Sequence, residues 1–210
     1  MMSLRELFFQ TASVSCENQS TIESCWIEIE KAYTHKKRFY HNLHHLEHLA
    51  RELENVKTSI NQWDTVMFAL FYHDVVYNAM RSDNEEKSAE LAASRLIDLN
   101  VAQNDVSKCS SIIAATKKHA YHNDSDINYF TDADLSILGS AEKDYGAYFS
   151  KIRKEYGWFP DLIYNPGRKK VLQYFLQSER IFKTEFFFQK YESQARQNLA
   201  AELRFLGEKA

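Results

Sequence analysis

Apolar residues recur at intervals of three and four through most of the chain, the spacing that lines one face of a 3.6-residue helix. The pattern predicts about nine to eleven helices, with no internal repeat and no low-complexity linker. Several boundaries carry markers. "SDNE" (82–85) has the form of a capping box, with Ser82 or Asp83 as N-cap of a helix that ends near Asn100. "TDAD" (131–134) predicts a second helix start, with Gly139 suited to its end. In "NPGR" (165–168), Asn165 is the expected N-cap and Pro166 the first helical residue. The final helix is expected from about Thr184 to Leu206, stopped by Gly207. Residues 63–80, "WDTVMFALFYHDVVYNAM", stand apart because apolar side chains occupy nearly the whole circumference, as in a buried helix.

Composition sharpens this picture. Two prolines and five glycines in 210 residues supply too little turn chemistry for many short strands, so an all-α fold is predicted. The length suits one domain, residues 1–210, with a single sizeable core. A net charge of −3 gives no global basic field, so no long nucleic acid is expected as a partner and an anionic ligand must be held locally. Cys16, Cys25 and Cys109 fit no metal-ligand spacing and read as reduced thiols of a cytoplasmic protein. The N-terminus lacks a signal-peptide core, and no segment approaches the roughly 20 apolar residues that cross a bilayer; no membrane partner is expected.

Against that background His73 and Asp74 are anomalous, because they sit inside the most apolar run. An ionised carboxylate buried without a partner costs several kcal/mol, so Asp74 should be protonated, paired with a cation or bound to a metal. Adjacent helical residues point about 100° apart, which lets both side chains reach one ion in the groove beside the helix. Upstream, "RFYHNLHHLEHL" (38–49) holds His41, His44, His45 and His48, with His41/His45 and His44/His48 at i,i+4 spacing. His45 lies nearest the stripe of Leu46, Leu49 and Leu53 and is the preferred ligand, with His41 and His44 as alternatives; His41 is otherwise read as facing substrate. "DADL" (132–135) adds carboxylates, of which Asp132 fits a capping role better than Asp134.

The order His, His-Asp, Asp on successive helices resembles the HD-domain superfamily of metal-dependent phosphohydrolases, and within it a bacterial subgroup of predicted HD phosphohydrolases. "RFYHNLHHLEHL", "ALFYHDVVYN", "DNEEKSAELA", "IIAATKKHA", "TDADLSILG", "IRKEYG", "GRKKVLQYFL" and "ARQNLAAEL" carry the resemblance over about residues 38–204. It implies one HD-type helical bundle, with an HD core over about residues 38–140 and the C-terminal helices of 141–207 packed onto it. The implied metal ligands are His45, His73, Asp74 and Asp134, suited to Mn, Fe, Co, Ni, Zn or Mg. The implied activity is hydrolysis of a phosphoester of a small molecule, a nucleotide among the candidates, by metal-activated water.

Arg38, Lys118 and Arg168 lie in matching segments and are the expected phosphate contacts, with Lys117 a further candidate; Arg168 is expected at a helix N-terminus, a common anion site. Some HD nucleotidases carry a glutamate three residues after the HD aspartate, where this chain has Tyr77. Glu85, in "DNEE", is the expected replacement, with capping as its other explanation. His119, and less so His122, is the candidate ligand of a second metal, which keeps open a dinuclear-iron oxygenase. A non-catalytic nucleotide-binding regulatory module is the third reading. Late aromatics, among them Tyr156, Trp158, Phe159, Tyr164 and "EFFFQKY", read mainly as core, although they could stack on a base or cover a homodimer interface.

Overall fold

The computed structural model describes residues 2–208, and among them it is all-helical, with ten α-helices and no strand. The chain divides into two compact units, the first ending at Thr131 and the second beginning at Asp132.

The first unit comprises α1 (Leu4–Ala12), α2 (Gln19–Tyr33), α3 (Leu43–Glu54), α4 (Trp63–Tyr72), α5 (Asn84–Asp98), α6 (Gln103–Ala115) and most of α7 (Ser125–Leu135). As its all-round apolar pattern predicts, α4 is central: every residue from Thr65 to Tyr72 is buried, and α1, α3, α5 and α6 pack around it. Burial of each large side chain such as Leu70 or Phe71 contributes roughly 1.5–3 kcal/mol. Phe71 meets Phe8 of α1 edge-to-face at 5.1 Å and Trp26 of α2 at 6.3 Å. Asp126 fixes the entry to α4, accepting from the backbone N–H groups of Asn61 at 2.9 Å and Gln62 at 3.1 Å.

α4 stops at Tyr72, well short of the apolar run that extends to residue 80. Residues 73–78 form a packed turn in which Val75 is still buried. Burial alone therefore does not separate helix from loop at this point. α5 starts one residue after Asp83, but the expected capping box is not made; the Asp83 carboxylate is held by Arg81 at 2.5 and 2.7 Å. Its end is as expected. Asn100 takes the left-handed conformation (φ 57°), and the N–H of Val101 reaches back to the carbonyl of Leu96 in a Schellman-type closure.

The second unit contains a 3-10 turn (Ser136–Gly139), α8 (Glu142–Glu155), α9 (Asp161–Gln177) and α10 (Glu185–Glu208). Three expected boundaries are corrected here. "TDAD" lies inside α7, and Asp132 caps a different helix: its carboxylate accepts from the N–H groups of Lys183 and Thr184 and the Thr184 hydroxyl, just before α10. "NPGR" lies inside α9, which begins after Pro160 and contains Pro166. Gly207 falls within α10 instead of stopping it. Gly139 does end its turn, and the site demands glycine, since an added Cβ would meet the Cβ and carbonyl oxygen of Tyr191 at 2.6 Å.

Candidate metal centre

His73 is the C-terminal cap of α4, and its Nδ1 lies 3.0 Å from the carbonyl of Leu70, to which it must donate. That bond fixes the tautomer and leaves the lone pair on Nε2. His45 is placed by α3, whose N-cap Asn42 accepts from the N–H of His44, and it is buried beside Leu46 and Leu49. The two Nε2 atoms are 3.1 Å apart, and the Asp74 Oδ2 lies 3.2 Å from that of His73 and 3.9 Å from that of His45.

Three lone-pair atoms thus converge within 4.8 Å of one another in a nearly closed interior. Ligands about 2.1 Å from a common ion are about 3.0 Å apart at a right angle and about 3.4 Å apart at the tetrahedral angle. The two shorter edges fall in that range, and the longest spans a wider angle. The donor set of two imidazoles and a carboxylate therefore fits a divalent ion of intermediate hardness. Asp74, 18% exposed, opens the group to solvent.

Burial by itself would raise the Asp74 carboxyl, but the rings of His73, His41 and His45, when protonated, hold it well below the usual carboxylate range. Its backbone is pinned as well. The N–H of Asp74 donates to the Tyr33 hydroxyl at 3.2 Å, and the Arg38 guanidinium donates to the carbonyls of His41 (3.2 Å), Asp74 (2.6 Å) and Val75 (2.8 Å). Arg38 also lies over the rings of Tyr33 and Tyr77. Arg38, expected as a phosphate contact, fixes the turn that carries Asp74. Ser88, which sequence reasoning missed, is fully buried on α5 and exchanges two hydrogen bonds with the backbone of Val76. Its signal was a hydroxyl on the same helical face as Ala92 and Leu96.

His41 precedes α3, so the expected shared helix face with His45 does not arise; its ring packs at a tilt against Tyr77 with centroids 4.3 Å apart. Its Nε2 is 3.9 Å from the Asp74 Oδ2, half-buried at the edge of the group. His44 is exposed and pairs with Glu47, and so stands outside the group. Glu85 is half-buried in the first turn of α5, Lys118 is exposed beyond α6, and His119 has a left-handed backbone (φ 49°); none belongs to the three-residue group. Among the described residues no second such group forms. Lys117 binds Glu86 and the Ser82 carbonyl. In the second unit, Asp134 is half-buried near the end of α7. Arg168 is not at a helix N-terminus: it lies inside α9 in a buried two-point pair with Glu202 at 2.7 and 2.9 Å, which Tyr145 joins. Its expected role as an N-terminal anion site is therefore corrected, because the guanidinium already has a carboxylate.

No family model, curated protein or solved structure matches this chain.

Proposed function

We propose that the protein is a metal-dependent phosphohydrolase acting on a small phosphorylated molecule, a nucleotide among the candidates. The observation that carries the reading is the convergence of the His45 Nε2, His73 Nε2 and Asp74 Oδ2 atoms, with the His73 tautomer already set for ligation. The resemblance supplies the reaction class and implies Asp134 as the fourth ligand, and the reading of the cysteines as reduced thiols supplies a cytoplasmic location. Mn, Fe, Co, Ni, Zn and Mg are the candidate ions. When bound, such an ion would lower the pKa of a water and draw charge from a phosphoryl oxygen.

The chain's own residues then have distinct tasks. Asp74, kept ionised, offsets the positive charge in an interior that excludes most water. Arg38, Tyr33 and Ser88 hold the Asp74 turn still. His41, half-buried and close to Asp74, is the proton carrier we favour, with Glu85 as the other candidate. Lys118, exposed beyond α6, is the favoured phosphate contact.

The test is elemental analysis of the purified protein, followed by a phosphatase and phosphodiesterase panel with each ion. Product release by the wild type, absent in a folded Asp74→Ala variant, supports the reading. Undiminished metal content and turnover in that variant overturn it. Oxygen consumption without phosphate release would favour an oxygenase, and tight nucleotide binding without product a regulatory module.

A further inference from the structure

The corner between α8 and α9 presents an apolar tip. Trp158, Leu162 and Ile163 are 75%, 87% and 60% exposed there, and Leu162 is the most exposed large apolar side chain among the described residues. Of the other late aromatics, Tyr164 and Phe187 are buried, and Tyr174, Phe186 and Phe205 are less exposed than Trp158. The corner is also braced. Arg153 donates to the Asp161 carboxylate at 2.6 and 2.9 Å and to the carbonyls of Tyr156 and Phe159, both at 3.0 Å, with its guanidinium over Tyr164. The exposed side chains are thus held outward by a fixed backbone.

Along the chain through this corner the charge is one-sided. Between Lys151 and Tyr174 the only acids are Glu155, which is buried, and Asp161, which is engaged by Arg153. Lys151 and Lys154 on α8 and Lys170 on α9 are exposed, and Lys169 is half-exposed. Lys169 follows Leu162 by seven residues, and Lys170 follows Ile163 by seven. Each pair shares a helix face, with the cation about 10 Å behind the apolar group. This matches the depth between the acyl boundary and the phosphate layer of a bilayer, where apolar side chains insert about 5–10 Å. Two copies of the face would set lysines against lysines, which disfavours self-association.

We infer that this corner docks reversibly on an anionic phospholipid surface, with Trp158, Leu162 and Ile163 at the acyl boundary and the lysines at the phosphates. This departs from the sequence-based expectation of no membrane partner and does not rest on the proposed hydrolase activity. It concerns the surface only, since no helix among the described residues is long and apolar enough to cross a membrane.

The test uses the full chain with vesicles of phosphatidylglycerol and phosphatidylcholine, against phosphatidylcholine alone, by co-sedimentation and tryptophan fluorescence. Binding should require the anionic lipid, weaken about tenfold or more between low salt and roughly 0.5 M salt, and shift tryptophan emission to the blue. Trp158→Phe should abolish the shift, while Leu162→Asp with Ile163→Asp, or Lys169→Glu with Lys170→Glu, should lower binding about tenfold or more. All these residues lie on the surface of α9 or the turn before it, so circular dichroism should be unchanged. No binding to anionic vesicles at low salt, or binding indifferent to both double variants, overturns the inference. So does light scattering that shows a dimer which Leu162→Asp dissolves in protein that ignores vesicles.

Discussion

The Nε2 atoms of His45 and His73 face each other at 3.1 Å, and the Nδ1–H of His73 is committed to the Leu70 carbonyl. Without an ion, one of the two rings must supply the proton between them; with one, both lone pairs turn to it. His45→Gln should therefore keep the fold and lower divalent-metal affinity at least about 100-fold, measured by titration calorimetry. Stabilisation by metal should fall in step: wild type at 100 times Kd gains about 2.7 kcal/mol in thermal unfolding, and the variant at the same concentration should gain well under half of that. Equal affinity in the two proteins would rule out His45 as a ligand.

Arg38 donates to three carbonyls around the Asp74 turn, each a charge-assisted bond. A lysine ammonium lacks the planar fork to span them. Arg38→Lys should cost about 2 kcal/mol or more in urea unfolding and weaken metal binding about tenfold. A contact made only with a phosphate would leave stability untouched and raise KM.

The Arg168–Glu202 pair is buried, with side chains 9% and 1% exposed. Arg168→Met leaves a buried carboxylate uncompensated and should cost about 3–5 kcal/mol. Arg168→Met with Glu202→Leu should recover much of that loss, because the stranded charge is gone. Equal destabilisation of the single and double variants would show that the pair is not the source.

The Tyr164 hydroxyl is buried with no hydrogen-bond partner among the described residues, and burial pushes it up to about 12. An ordinary tyrosine titrates near 10, so between about pH 10 and 12 the unfolded chain has lost a proton that the folded protein keeps. Stability must fall as pH rises through that window. Tyr164→Phe should flatten part of the fall and leave stability at pH 7 equal or slightly higher, since an unsatisfied hydroxyl is removed. A loss above about 1 kcal/mol at pH 7 would mean that the hydroxyl has a partner.

Local pattern by itself determined the helical character of the chain, the central burial of α4 and the core-facing place of His45 beside Leu46 and Leu49. It also marked His73 and Asp74 as needing compensation, because a carboxylate in an apolar run is costly whatever surrounds it. Only the tertiary structure decided where α4 stops, that Asp132 caps α10 instead of its own helix, and that Arg168 belongs to Glu202. Arg38 shows the reason most plainly. Its carbonyl partners Asp74 and Val75 lie 36 and 37 residues away. Helical periodicity is a property of near neighbours, whereas a charged side chain is satisfied by whatever folding brings within 3 Å of it.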